Sequence, residues 1–167
     1  MERLIRPWRM DYVSRPKENE EEACFFCAAI ESADDARNLV VARRPYALAI
    51  LNRYPYNSGH VMVAPLRHVA SLGDLSPDER LGIMDLVTET NGVLEEEMHP
   101  DGYNVGINLG RAAGAGVPGH LHVHVVPRWI GDTNFMPVIG ETMVLPEALE
   151  TTQERLHRRF AAAPELA

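Results

Sequence analysis

His120-Leu121-His122-Val123-His124-Val125-Val126 alternates imidazole and aliphatic side chains along its length. Strict alternation is the mark of a strand with one buried face. Side chains of a strand point to opposite faces in turn, so Leu121, Val123 and Val125 share one face and the three histidines share the other. Successive histidines then lie about 6.6 Å apart along the backbone. Three imidazoles in a row fill an apolar core poorly. They suit a site for an anion, a metal ion or proton transfer.

The segment before this strand, Asn108 to Gly119, reads NLGRAAGAGVPG and contains Gly110, Gly114, Gly116 and Gly119. Glycine lets backbone N–H groups approach a phosphate closely. Asn108 and Arg111 can add side-chain donors. Two chemistries fit the pattern. His-x-His pairs on strands chelate zinc, as in metallohydrolases. Alternatively, one imidazole acts as nucleophile in phosphoryl chemistry while its neighbours bind phosphate. The glycine-rich loop favours the second.

Further out, Asn38 to Val41, Tyr46 to Leu51 and His60 to Pro65 read as strands, with the turn-rich Asn52 to Gly59 between the last two. A short helix is expected over Ala28 to Ser32. Ser76-Pro77-Asp78-Glu79 is a helix start, with a capping serine, a proline in the first turn and then carboxylates. That helix should run to Met98, because Ile83, Leu86, Val87, Val93, Leu94 and Met98 recur near the helical period. Met84 and Met98 are assigned to the core. Tyr103 to Asn108 is another strand, and Pro146 to Phe160 a closing helix. Thr133 to Leu145 reads as an excursion over the sheet. His99, at the helix end, and His157 are read as capping or surface residues. Trp129 follows the histidine strand and fits a base pocket, a subunit contact or simple packing.

The fold class expected is α+β: an antiparallel sheet of about five strands, one long helix and a C-terminal helix. Residues 1–23 form an N-terminal arm and linker, in which Arg15 to Glu22 (RPKENEEE) is a charge run. Residues 24–128 form the core domain, and residues 129–167 a C-terminal extension packed on it. The chain has 167 residues, 46% hydrophobic and 24% charged, enough for one domain with a real core. Its formal charge of −8 argues against general binding of nucleic acid or an anionic membrane. No apolar run approaches a membrane span, no secretory signal precedes the body, and two cysteines do not make a disulfide framework. The expected location is cytoplasmic.

His120-x-His122-x-His124 followed by two apolar residues resembles the histidine-triad (HIT) motif of nucleotide hydrolases and transferases. The resemblance extends from Cys24 to Arg128. Asn52 stands eight residues before His60, and Ser58 to Pro65 is similar to the family's second strand. Pro127-Arg128-Trp129 and Gly131 to Val138 resemble the branch that contains bacterial diadenosine tetraphosphate phosphorylases. The resemblance implies that His122 is the nucleophile and forms a nucleotidyl-histidine, with its other ring nitrogen donating to a backbone carbonyl. It also implies that His124 and His60 support phosphate and leaving group, that Asn108 contacts phosphate and that Asn52 contacts ribose. Gly114, Gly116 and Arg111 complete the expected phosphate-binding set. Many family members carry Gln-Ser or Gln-Thr where this chain has Gly116 and Val117. Those donors are absent, and a wider loop would fit orthophosphate as second acceptor.

The implied reaction is nucleotidyl transfer on dinucleoside polyphosphates, with phosphorolysis of diadenosine tetraphosphate to ADP and ATP leading. Hydrolysis of dinucleoside polyphosphates or phosphoramidates to a nucleoside monophosphate is the alternative, and a weakly catalytic nucleotide sensor a second. The implied partners are an adenine nucleotide, with orthophosphate or water as acceptor, and a second copy of the chain in a homodimer or higher oligomer.

Cys24 and Cys27 form a C-x-x-C pair open to redox or zinc chemistry. Structural zinc wants four ligands. The set Cys24, Cys27, His68 and His120 resembles the zinc site of several histidine-triad relatives. Zinc there would brace the start of the histidine strand. No organic cofactor is expected.

Overall fold

The computed structural model describes residues 24–132 and 147–163. The expected N-terminal arm and the excursion over Thr133 to Leu145 lie outside the described residues. Five antiparallel strands form one sheet in the order β1-β2-β3-β5-β4. They are β1 (Val40–Arg43), β2 (Ala47–Leu51), β3 (Val61–Pro65), β4 (Gly102–Ile107) and β5 (Val123–Arg128). The helices, in chain order, are α1 (Phe25–Glu31), α2 (Asp35–Asn38), α3 (Pro77–Met98) and α4 (Leu149–Ala162). The architecture is the expected α+β one.

β2 and β3 are buried at all ten positions, because both faces of the middle of the sheet are covered. Such strands read as continuous apolar runs rather than alternating ones. α3 covers one face with Ile83, Leu86, Val87, Val93 and Leu94, each at most 4% exposed. Met84 does not join them: it is 53% exposed. It lies about 100° around the helix from Ile83, outside the stripe set by the period of 3.6. Met98 is partly buried against the core. The start of α3 follows from its sequence. Ser76 accepts from the Glu79 N–H, and the Glu79 carboxylate accepts from the Ser76 N–H. Such a cap stabilises a helix by about 1 kcal/mol. Arg67 adds a two-point ion pair, and with these donors it holds the Glu79 carboxyl down at about 2.

α4 covers the β1 edge of the sheet. Leu156 and Phe160 are buried in the core cluster, and Gln153 donates to the Val40 carbonyl at 2.7 Å. An edge carbonyl is thereby satisfied inside the molecule instead of being offered to another strand.

Two boundaries differ from expectation in ways that bear on the site. α1 begins at Phe25, three residues before the expected Ala28, and no side chain caps it. Its start therefore leaves no signal in the sequence. Asn38 ends α2 instead of opening β1, and Leu39 adopts a left-handed conformation at φ 60°. A bulky residue there is unusual, and glycine is the normal occupant. The alternation of the histidine segment holds, with Leu121, Val123 and Val125 buried in the core. The paired strand nevertheless starts only at Val123, where Val63 lies opposite. Upstream, the chain bonds to the irregular segment after β3: Leu121 N–H donates to the Val69 carbonyl at 2.7 Å.

Candidate active site

The three triad histidines occupy three different environments. His120 is fully buried. Its Nε2 donates to the Pro65 carbonyl at 2.9 Å. His122 is 5% exposed, and its Nδ1 donates to the His120 carbonyl at 2.8 Å. That bond places the proton of the neutral ring on Nδ1 and leaves the Nε2 lone pair free. Nε2 has no hydrogen-bond partner among the described residues. His122 lines the cavity described below, and burial pushes its pKa below the ordinary histidine value, against the opposing pull of the His120 carbonyl. The ring is accordingly neutral, and so nucleophilic, at pH 7.

His124 stands beside it, with ring centroids 4.9 Å apart in an edge-on arrangement. A chain of hydrogen bonds runs through His124 to His60. The peptide N–H of Tyr56 donates to His60 Nδ1 at 3.0 Å, and a peptide N–H can only donate. Neutral His60 therefore carries its proton on Nε2, aimed at His124 Nδ1 at 2.9 Å. His124 in turn carries its proton on Nε2; Asn108 Nδ2, itself only a donor, lies 3.4 Å from that nitrogen, so the amide has to turn its Oδ1 there to accept from this tautomer. The Tyr56 ring stacks on His60 at 4.7 Å and fixes its plane. The arrangement fixes His124 as an Nε2–H donor while His122 stays unprotonated at Nε2.

A cavity of about 250 Å³ opens against these rings. Of the expected site residues, His122, His124, Asn52, Gly114 and Gly116 line it. Asn108 reaches the site through His124, and His60 lies one hydrogen bond behind it. Arg111 is the exception. It sits on an exposed 3₁₀ turn, Arg111–Ala113, and does not line the cavity. The turn is flanked by Gly110 and Gly114, both at positive φ, 77° and 81°. Beyond it, Gly114, Gly116 and Val117 return to the cavity wall. Trp129 lies elsewhere, donating to the Met98 and His99 carbonyls at the end of α3. His99 is the exposed left-handed cap of that helix, and His157 is exposed on α4.

The rest of the wall is not legible in the sequence. Phe25 comes from α1, Asn38 and Leu39 from the turn into β1, Ile50 and Leu51 from β2, and Met62 from β3. Arg53, Tyr54 and Tyr56 come from the loop after β2. The apolar members belong to runs that read as ordinary core. A weak signal existed for the tyrosines, two aromatics around Pro55 in a polar turn next to Asn52.

Cys24, Cys27, His68 and His120 form a second constellation, beside the Phe26 ring. Phe26 touches both the His120 and His122 rings, at 5.0 and 5.1 Å. One donor atom from each of the four lies within 4.8 Å of the others. Cys24 Sγ is 3.3 Å from His120 Nδ1, and Cys27 Sγ is 3.2 Å from His68 Nδ1. Zn–S and Zn–N bonds in a tetrahedron put neighbouring donors roughly 3.3–3.8 Å apart. The donor set and spacing thus fit zinc. Gly119 packs closely on this site: a Cβ there would stand a tight 3.1 Å from His68 Nε2. The Pro65 carbonyl orients the His120 ring from behind. Burial and the neighbouring Cys24 push the Cys27 thiol up, a shift that a bound cation would reverse.

Among proteins of known sequence, the chain is 41% identical over 170 aligned residues to a Mycobacterium tuberculosis protein named AP-4-A phosphorylase, covering 98% of this chain and 87% of that one. It is 38% identical over 89 residues to the asymmetrical bis(5'-nucleosyl)-tetraphosphatase of Schizosaccharomyces pombe, covering 53% of this chain and 48% of that one. Among solved structures, a zinc-bound histidine triad family protein from Mycobacterium smegmatis superposes with a TM-score of 0.66 at 28% identity, covering 84% of this chain and 94% of that one. The HIT domain family matches residues 34–129, a span that includes His60 and the histidines at 120, 122 and 124. The chain belongs to the HIT family.

Proposed function

We propose that the protein transfers a nucleotidyl group from a dinucleoside polyphosphate to an acceptor through His122. The observation that carries this reading is the His122 Nδ1 bond to the His120 carbonyl, which leaves a neutral Nε2 at the cavity wall. The Nε2 lone pair attacks the α-phosphorus, and the bond to the bridging oxygen breaks with its electron pair. The polyphosphate leaves as its anion, stabilised by a hydrogen bond from the His124 Nε2–H, and the His60 Nε2–H holds His124 in that tautomer. The nucleoside occupies the slot between Phe25 and the sheet, with Asn52 against its ribose. The second acceptor then attacks phosphorus and breaks the P–N bond, freeing His122.

Orthophosphate is the acceptor we assign. Gly116 and Val117 place no side-chain donor at the cavity wall and leave room beside the α-phosphorus. The AP-4-A phosphorylase name of the relative supports the same assignment. With diadenosine tetraphosphate the products are ATP, as the leaving group, and ADP. Chromatography of the products decides between acceptors: ADP plus ATP is expected when phosphate is present. AMP formed equally with and without phosphate would establish the hydrolytic alternative, which the name of the S. pombe relative favours.

We also propose that Cys24, Cys27, His68 and His120 hold a structural zinc ion, supported by their spacing and by the zinc-bound neighbour. It would brace the chain just before the nucleophile and take no part in the reaction. A thiolate donor set needs reducing conditions, and we place the protein in the cytoplasm as a homodimer. The edge strand β4 supports the dimer: it ends the sheet and exposes Val105 at 47%, with Leu109 just beyond at 48%. A sedimenting mass of one chain, or recovery outside the cytoplasmic fraction, would refute these two assignments. Residues 24–128 are taken as the catalytic body and 129–167 as its extension.

A further inference from the structure

Asn38 is a polar side chain in a largely apolar wall, and its orientation is set from outside the cavity. Its Nδ2 donates to the Asp34 carbonyl at 2.7 Å and to Ser32 Oγ at 2.9 Å. A carbonyl can only accept, so turning the amide over would set Oδ1 against the Asp34 carbonyl oxygen. Ser32 Oγ already accepts the Asp34 N–H at 3.1 Å, which further suits it to this role. Both Nδ2 protons are thereby used, and Oδ1 has no partner among the described residues. Asn38 is half-buried and lines the cavity together with Leu39. Neighbours in a regular strand would point to opposite faces. The left-handed turn at Leu39 is what brings both to one wall. Leu39 itself is locked by its carbonyl, which accepts from Leu51 N–H at 2.9 Å.

From this geometry we infer that Asn38 is a base-reading residue: its Oδ1 accepts a hydrogen bond from the exocyclic amine of a 6-aminopurine held in the slot. This rests on the nucleotide reading given above and assigns the residue that selects its adenine base. The apolar members of the slot, Phe25, Leu39, Ile50 and Met62, pack on any purine and discriminate little. A fixed acceptor does discriminate. Adenine presents N6–H₂ to it, whereas hypoxanthine presents O6, and two acceptors then face each other without a proton.

The test compares diadenosine tetraphosphate with its diinosine counterpart in wild-type protein and in Asn38→Leu. Wild-type kcat/KM is expected to favour the adenine substrate by on the order of tenfold or more. In Asn38→Leu the ratio should fall to within about threefold, mainly through loss on the adenine substrate. If the leucine variant does not fold, Asn38→Ala removes the same acceptor without added bulk. Equal wild-type turnover of the two substrates overturns the inference, as does an unchanged ratio in the variants. Failure to turn over either substrate in wild-type protein would instead sink the nucleotidyl-transfer reading.

Discussion

His122→Ala is expected to slow turnover of diadenosine tetraphosphate by about four decades, equivalent to roughly 5 kcal/mol in the barrier. Its Nε2 lines the cavity with a lone pair that no described residue engages. His124 cannot substitute, because its Nδ1 already accepts from His60 and its Nε2 carries a proton. Nucleotide binding should survive the change, since the slot walls from Phe25 to Met62 remain. Steady-state rates, nucleotide titration and a melting curve on one preparation separate the effects. By contrast, His124→Ala removes the hydrogen-bond donor to the leaving oxygen and should cost about two to three decades. Unchanged turnover in His122→Ala would reject the nucleophile. A nucleotidyl adduct found by mass on His122 in wild-type protein would establish it directly.

The second large effect is expected at the cysteines. Cys24→Ser should lose stoichiometric zinc when purified without chelator. Weakening the ion's affinity a hundredfold or more lowers folding stability by about 3 kcal/mol or more, by linkage. Activity should fall less than in His122→Ala and recover in part with excess zinc. The ion would touch no substrate: it would steady His120, whose carbonyl orients the His122 ring. Metal analysis beside thermal melts in added zinc checks this. Full zinc content and an unmoved melting temperature would exclude Cys24 as a ligand.

The parts of the site that follow a periodic pattern were readable from residues alone. Alternation placed Leu121, Val123 and Val125 in the core and the imidazoles opposite, and Ser76 through Glu79 marked the start of the long helix. What escaped depends on backbone states that leave no trace in residue type. Leu39 is left-handed without being glycine, so the turn that brings Asn38 to the cavity could not be foreseen. α1 lacks a capping side chain, so Phe25 did not stand out as a wall residue. Arg111 reads as a phosphate ligand from its loop, whereas it sits on the 3₁₀ turn between Gly110 and Gly114 and is not among the residues lining the cavity. Met84 shows the opposite failure: one residue out of phase on a helix is enough to exchange core for solvent.

His122 is held by a neutral peptide dipole where many catalytic histidines have a carboxylate. Once Nε2 bears phosphorus, the ring becomes a cation, and an anionic neighbour would spread that charge and prolong the adduct. A main-chain oxygen steadies the ring without quenching it. The loaded state is therefore kept reactive, suited to quick hand-over and not to storage.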